Sequence, residues 1–128
     1  KHTTKTNHKK VLLIGLRSDC VDNEKWPQIT RDKLEAAFEE VVLQLSKEGY
    51  TGIWCLTDQG KTASEQIEKA LKKENPDIVL VGAGVRTDPD LLLLFEKVIN
   101  AIHKYAPPAK IAFNRLPYDS VEAVKRWS

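Results

Sequence analysis

Apolar residues occur along this chain in two alternating patterns. Short runs that are apolar at nearly every position favour strands buried on both faces, as in a parallel sheet. Longer segments carry apolar residues every three or four positions, which is typical of helices that bury one side. The predicted strands are residues 11–16, 51–57, 78–81 and 110–114, and the predicted helices are residues 30–48, 62–75, 89–105 and 120–127.

The regular alternation of strand and helix predicts the fold. Such a chain forms a parallel sheet with helices on both faces, and right-handed crossovers leave few possible strand orders. The most economical winding places the first and third strands in the centre. We therefore expect a three-layer α/β sandwich with a four-stranded parallel sheet of order 2-1-3-4, formed by a single domain over residues 11–128.

The first ten residues differ in composition from the rest. They carry four lysines and no acid, so the net charge of +2 for the whole chain leaves residues 11–128 with a net charge of −2. They also lack apolar periodicity, and residues 1–10 are predicted to be a flexible basic tail. A nucleic-acid-binding arm is the alternative. Because no basic cluster in residues 11–128 accompanies it, we expect no nucleic-acid partner.

Composition excludes several classes of protein. The chain is 41% hydrophobic, yet no apolar run approaches the roughly 20 residues that a membrane span requires, so we expect no membrane partner. Cys20 and Cys55 are the only cysteines, and Cys55 lies in a predicted strand, where a reduced thiol is usual. This cysteine usage predicts a cytoplasmic protein rather than a disulfide scaffold.

Glycine and polar residues follow the ends of the predicted strands. In such a sheet a crevice opens at the carboxyl ends of the strands where the winding reverses, here the first and third. Arg86 carries a planar fork suited to a carboxylate or phosphate, and Gly82 and Gly84 would let a ligand approach the backbone. The predicted ligand-binding residues are Arg17, Ser18, Asp19, Asp58, Gly82, Gly84, Arg86 and Asn114.

These residues allow two interpretations. In the functional one, an anionic small molecule binds at the ends of the first and third strands, and Asp19 is a weak candidate for a catalytic base. In the structural one, the glycines form a tight turn and Arg86 pairs with Asp88, Asp19 or Asp58. The sequence assigns no cofactor and no metal site, and it leaves open whether the protein is an enzyme.

The connection between the first strand and the first helix is long. Residues 17–29 form this connection, where two to six residues are usual, and such length often serves a function. The segment is therefore a candidate lid over the crevice. The alternative is a surface loop in which Trp26 packs over the helix.

The start of the second predicted helix carries a capping pattern. Thr62 is followed three residues later by Glu65, the spacing of a capping box. The preceding Gly60-Lys61-Thr62 is similar to the end of a phosphate-binding loop, but Cys55 stands where that motif requires a glycine. We therefore interpret Thr62 as a helix cap.

The predicted helix 89–105 is unusually apolar. Apolar residues cover about half of its circumference, which is more than one sheet face usually needs. Leu92, Leu93 and Ile99 lie at the edges of this arc, and the excess predicts a homodimer contact. The alternative is a helix that is buried more deeply between its neighbours.

Several segments together resemble a family of small, uncharacterised, single-domain flavodoxin-like proteins. The resemblance implies a flavodoxin-like or Rossmann-like fold over nearly the whole chain after the tail, and it implies no established activity or catalytic residue. The segments that carry it are residues 11–16, Gly82-Ala83-Gly84-Val85-Arg86, Leu94-Phe95-Glu96, Ile111-Ala112-Phe113-Asn114 and Glu122-Ala123-Val124.

Two functions of different classes stay open. The first is binding of an anionic small molecule in the crevice, with Arg86 as anion clamp and residues 17–29 as lid. The second is a non-enzymatic interaction or regulatory domain that dimerises or binds a partner through helix 89–105. The long loop and the arginine lie at the same end of the predicted sheet, which favours the first function.

Overall fold

A parallel sheet forms the centre of the protein, in a computed structural model that describes residues 9–20, 30–60, 62–115 and 119–128. Its strands are β1 Lys9–Leu16, β2 Tyr50–Thr57, β3 Ile78–Val81 and β4 Lys110–Phe113. They pair in parallel in the order β2-β1-β3-β4, which confirms the predicted fold class. All of β3 and residues 11–16 of β1 are buried, as expected for central strands that are covered on both faces.

The helices pack against both faces of this sheet. They are α1 Arg31–Lys47, α2 Ala63–Glu74, α3 Ala83–Arg86, α4 Leu92–Tyr105 and α5 Ser120–Trp127. On one face, Leu45 of α1 and Val124 of α5 belong to one hydrophobic cluster. On the other face, Ile67 of α2 and Val98 of α4 belong to a second cluster. The sheet is therefore the middle layer of three, as predicted.

No helix within the described ranges is both long enough and apolar enough to cross a membrane.

The first strand begins earlier than the sequence predicts. Lys9 and Lys10, which the prediction assigns to the tail, form the first pairs of the β1–β2 ladder. The backbone N–H of Lys10 also donates to the carboxylate of Asp77, at 2.9 Å. The basic composition is compatible with a strand because long lysine side chains reach water from the end of a sheet. Residues 1–8 of the predicted tail lie outside the described residues.

Of two helix caps predicted from the sequence, one is confirmed and one is wrong. Thr30 caps α1 as predicted, since its Oγ1 accepts a hydrogen bond from the backbone N–H of Lys33 at 3.2 Å. The predicted capping box at Thr62 is wrong, because the Thr62 side chain forms no cap hydrogen bond to α2. Its hydroxyl instead donates to Oδ2 of Asp58, at 2.8 Å. The Thr62 hydroxyl therefore binds the carboxylate four residues earlier and not the start of α2.

The segment before α4 also differs in detail from the prediction. Pro89–Leu91 form a 3₁₀ turn, and the α-helix starts only at Leu92. The Asp88 side chain accepts a hydrogen bond from the backbone N–H of Asp90, at 3.0 Å, and caps this turn. Residues 83–86, where the glycines predict a tight turn, form the one-turn helix α3.

Candidate functional site

An open recess lies at the carboxyl ends of β1 and β2, beside the first turns of α1. Its volume is about 430 Å³. The lining combines two arginines, two acids, a serine hydroxyl and two apolar side chains. These residues are Arg17, Ser18, Asp19, Arg31, Glu35, Phe38 and Leu56.

The backbone at the end of β1 brings three of the predicted residues into this recess. The N–H of Arg17 donates to the carbonyl oxygen of Thr57 at 2.9 Å, so the pairing with β2 continues just beyond the strand. Residues Ser18–Cys20 then form a 3₁₀ turn, in which the N–H of Cys20 donates to the carbonyl of Arg17 at 2.9 Å. This turn holds Arg17, Ser18 and Asp19 together.

Arg17 and Asp19 form a two-pronged ion pair on the recess wall. Nε of Arg17 lies 3.1 Å from Oδ1 of Asp19, and Nη2 lies 3.4 Å from Oδ2. The bond to Asp19 raises the pKa of Arg17. Partial desolvation would raise the pKa of Asp19, but the hydrogen bonds and charge of Arg17 outweigh it and lower that pKa. Asp19 is therefore ionised at neutral pH and is a weak proton acceptor.

The other polar side chains of the lining come partly from α1. The hydroxyl of Ser18 donates to Oε2 of Glu35 at 2.6 Å, which ties the 3₁₀ turn to the helix. Arg31 is the first residue of α1, and none of the described residues forms a hydrogen bond or an ion pair with its guanidinium. The recess thus contains one arginine in an ion pair, Arg17, and one, Arg31, whose charge acts on Asp19 without a direct ion pair.

Sequence reasoning missed the residues that α1 and β2 contribute. Arg31, Glu35 and Phe38 are spaced by four and three positions, so they lie on one side of the helix. This spacing shows that the three side chains share a helix face. It does not show that this face borders the recess, because that depends on how α1 is rotated over the sheet. Phe38 also contacts Trp54 of β2, with ring centroids 4.6 Å apart, and this contact helps to set that rotation.

Asp58, another predicted ligand residue, is engaged in a turn of the chain. Its carboxylate accepts hydrogen bonds from the backbone N–H of Gly60, at 2.9 Å, and from both the N–H and the hydroxyl of Thr62. The bond from Gly60 contributes most to lowering the pKa of Asp58, and the bond from the Thr62 hydroxyl adds to it. The side chain stabilises the β2–α2 connection and does not line the recess.

Arg86 and Asn114 form a separate group at the ends of β3 and β4. Nη2 of Arg86 donates to the backbone oxygen of Asn114, at 2.5 Å, and its guanidinium lies 5.6 Å from the ring centroid of Phe113. Asn114 is 5% exposed; its Oδ1 accepts from the N–H of Ala83 at 2.9 Å, and its Nδ2 donates to Ser120 at 3.0 Å. These contacts join α3, β4 and α5.

Two of the three acids that the structural interpretation offers to Arg86 are engaged elsewhere. Asp19 pairs with Arg17, and Asp58 binds Thr62. Nε of Arg86 is buried and has no hydrogen-bond partner within the described ranges. Arg86 therefore bonds to the backbone oxygen of Asn114 through Nη2.

The two predicted glycines do not form a strained turn. Gly82 has φ −69° and ψ 153°, an extended conformation open to any residue, and Gly84 lies in α3. A Cβ on Gly84 would meet nothing within 4 Å, whereas one on Gly82 would lie 3.3 Å from the carbonyl oxygen of Ile14. Val85, between them and Arg86, is fully buried in the cluster that contains Leu16.

The structure therefore divides the predicted site residues into two groups. Arg17, Ser18 and Asp19 line the recess over β1 and β2. The glycines, Arg86 and Asn114 lie over β3 and β4, outside that lining. Of the predicted lid, residues 21–29, with Trp26, lie outside the described residues. Within the described ranges, no group of three or more His, Cys, Asp or Glu side chains is arranged to hold a metal ion.

A scan of the chain against protein-family models finds no match, and a search of the curated proteins finds no similar one. The resemblance to flavodoxin-like proteins stays a prediction.

Proposed function

We propose that this protein binds a small polar molecule with an anionic group, in the recess at the carboxyl ends of β1 and β2. The observation that carries the proposal is the convergence of Arg17, Ser18 and Arg31 on one recess. Guanidinium groups suit carboxylates and phosphates because their planar fork donates two parallel hydrogen bonds.

The size and the composition of the recess support a small-molecule ligand. Its volume of about 430 Å³ lies within the range of about 300–1,000 Å³ that is usual for such sites. Phe38 and Leu56 offer an apolar surface, and the other five lining residues are polar or charged. Such a lining favours a small ligand that is itself polar and charged.

The charges of the lining indicate how the ligand would be oriented. Arg31 forms no hydrogen bond or ion pair with a described residue, although its charge helps to lower the pKa of the nearby Asp19. It lies in the first turn of a 17-residue helix, whose N-terminus favours an anion. Glu35 and Asp19 place carboxylates in the same lining. An anionic group would therefore bind at Arg31, and hydrogen-bond donors of the ligand would face Glu35 or Asp19.

The proposed position differs from the crevice that the sequence suggests. The sequence places the ligand at the ends of the first and third strands, with Arg86 as the clamp. Val85 is fully buried at that position, and Arg86 is bonded to Asn114. The recess lies instead on the other side of β1, and Arg31 takes the role of the clamp.

Thermal unfolding in the presence of candidate ligands tests this proposal. The panel contains phosphate, nucleotides, flavins, small carboxylates and amino acids. A ligand at 100 times its dissociation constant stabilises a protein by about 2.7 kcal/mol, so a true ligand shifts the melting temperature measurably. Arg31→Gln is expected to abolish the shift. Arg115→Gln is the matched control, because Arg115 also lies at the carboxyl edge but is 87% exposed and outside the recess.

Two results would contradict the proposal. One is the absence of any shift across the panel. The other is a shift that Arg31→Gln retains, since the ligand would then bind elsewhere. If the ligand-induced shift is lost in Arg86→Ala, measured relative to the stability of that variant without ligand, the result would favour the site that the sequence predicts at the ends of the first and third strands.

A second candidate function is protein binding through the start of α4. It is supported by Leu92 and Leu93, which are adjacent and 59% and 65% exposed, while Ile99 is only partly buried. Sedimentation velocity of Leu93→Lys against the native chain tests this function. Loss of a dimer in the variant would support it, and identical sedimentation would remove the contribution of these leucines.

A further inference from the structure

The ionisable side chains that line the recess have formal charges that cancel. Arg17 and Arg31 are positive, whereas Asp19 and Glu35 are negative. A ligand with several negative charges, such as inorganic phosphate, would meet both carboxylates as well as both guanidinium groups, and juxtaposed like charges disfavour binding. The balance of the lining therefore favours a ligand that carries one group of each sign.

The hydrogen bonds within the lining show which groups are left for a ligand. Both carboxylate oxygens of Asp19 lie against the guanidinium of Arg17, at 3.1 and 3.4 Å, so these two charges largely satisfy each other. The Ser18 hydroxyl donates its only proton to Oε2 of Glu35, so its oxygen offers a ligand only lone pairs. The remaining groups are the donors of Arg31 and Oε1 of Glu35, which accepts no hydrogen bond from a described residue.

Arg31 and Glu35 are about one helical turn apart on α1, yet they form no hydrogen bond or ion pair with each other. Side chains four residues apart on a helix have Cβ atoms about 5–6 Å apart, which is close enough for such a pair. Glu35 bonds instead to Ser18, in the turn that follows β1. The two side chains therefore present a donor group and an acceptor group side by side on the recess wall.

The apolar part of the lining is held in a fixed position. Phe38 belongs to α1 and Leu56 to β2, and both are partly buried. The Phe38 ring lies 4.6 Å from the ring of Trp54, between centroids, and its backbone carbonyl accepts from the Trp54 indole at 2.9 Å. An apolar group of a ligand that packs here loses contact with water, which favours binding.

We infer that the ligand of the recess is a free α-amino acid with an apolar side chain, an inference that rests on the proposed function and narrows its ligand class. The carboxylate binds the guanidinium fork of Arg31. The ammonium group, which has three donors and no acceptor, binds Oε1 of Glu35 and the oxygen of Ser18. The side chain packs on Phe38 and Leu56. One carbon carries both charged groups of the ligand, which suits a donor and an acceptor that stand side by side.

Isothermal titration calorimetry of the native chain with matched compounds tests the inference. L-Leucine carries all three features, isocaproate lacks the ammonium group, isoamylamine lacks the carboxylate, and glycine lacks the apolar side chain. We expect L-leucine to bind and each of the other three to bind at least about tenfold more weakly, because each loses a charged hydrogen bond or an apolar contact. Inorganic phosphate is also expected to bind more weakly than L-leucine.

Two variants of α1 separate the roles of the two charged side chains. Arg31→Gln is expected to weaken the binding of L-leucine and of isocaproate alike, because both carry the carboxylate. Glu35→Gln is expected to weaken only L-leucine, by about tenfold, since isocaproate has no ammonium group. Glutamine still accepts the hydrogen bond from Ser18, so the turn is retained. Glu39→Gln is the matched control, because Glu39 is exposed on the same helix and outside the lining.

The outcomes distinguish a failure of this inference from a failure of the proposed function. Equal affinity for L-leucine and isocaproate, or binding of phosphate or isocaproate without binding of L-leucine, would overturn the inference and keep an anion site at Arg31. An affinity for L-leucine that Glu35→Gln retains would also overturn it. If none of these compounds bound, the inference would fail, and an Arg31-dependent thermal shift with another ligand would still support the proposed function.

Discussion

Nη2 of Arg86 lies 2.5 Å from the backbone oxygen of Asn114, the residue that directly follows β4. This contact gives both residues a structural role that the sequence did not reveal. Asn114 is nearly buried, and its amide joins Ala83 to Ser120. The arginine and the asparagine therefore hold α3, β4 and α5 in place at the carboxyl edge.

Replacing Arg86 is expected to reduce stability and not ligand binding. Arg86→Ala removes a hydrogen bond from a charged donor and a cation–π contact with Phe113. Together they predict a loss of about 1.5–4 kcal/mol in the free energy of unfolding, measured by chemical denaturation. Arg115→Ala is the control and should change stability by less than about 0.5 kcal/mol. Unchanged stability in Arg86→Ala would contradict the structural role.

Two glycines are expected to respond in opposite ways to alanine. A Cβ on Gly52 would lie 2.9 Å from Cδ1 of the buried Leu45, so Gly52→Ala should destabilise the protein by about 1–3 kcal/mol. A Cβ on Gly84 would meet nothing, and its backbone is helical, so Gly84→Ala should stabilise by about 0.5–1 kcal/mol. Thermal or urea unfolding measures both. A large loss of stability in Gly84→Ala would contradict the open, helical environment of this residue.

The turn held by Asp58 is expected to depend on pH. Hydrogen bonds from Gly60 and Thr62 to the carboxylate lower the pKa of Asp58 in the folded protein. The ionised side chain therefore contributes stability that is fully present above the pKa of the unfolded chain, about 4. This contribution is lost as pH falls through the lower folded pKa.

Asp58→Asn tests this dependence by denaturation at several pH values. The variant should be less stable than the native chain at pH 7, and the difference should shrink below about pH 4 and vanish in stronger acid. Asp32→Asn, at an exposed position of α1, is a control for the change in net charge. A difference for Asp58→Asn that does not vary with pH would contradict the ionic role.

The two cysteines are expected to differ in reactivity. Burial raises the pKa of the Cys55 thiol, and this residue is only 9% exposed. Cys20 is partly exposed, and its sulfur lies 3.7 Å from Nη2 of Arg17. Iodoacetamide at neutral pH should therefore alkylate Cys20 well before Cys55 in the folded protein, as followed by mass spectrometry. Equal rates in the folded state would contradict the burial of Cys55, and equal rates in urea provide the control.

Local periodicity predicted most of the fold. The apolar runs of β1 and β3 and the helical spacing of α1 depend on burial within each segment, so a single sequence indicates them. The order β2-β1-β3-β4 followed from the few windings that right-handed crossovers permit. The predicted starts of β1 and α4 were less accurate. The start of β1 at Lys9 depends on pairing with another strand, and the start of α4 at Leu92 depends on capping.

The candidate site was predictable only in part. Arg17, Ser18 and Asp19 were found because they follow directly on β1, and strand ends converge at one edge of a parallel sheet. Arg31 and Glu35 were missed because their place depends on how α1 rotates over β2. For Asp58 and Arg86, also predicted to bind a ligand, the sequence did not show the hydrogen bonds to Gly60, Thr62 and Asn114 that the structure contains.

The sequence by itself determined the layers, the strand order and the edge at which polar residues gather, because the hydrophobic pattern records which side of each element is buried. Only the tertiary structure decided which polar side chains stay available. Arg86 is engaged by Asn114, distant in sequence, while Arg31 lines the recess at the end of β1 and forms no hydrogen bond or ion pair with a described residue. Hydrogen-bond pairing depends on distances of about 3 Å between segments, and no periodicity along one chain specifies them.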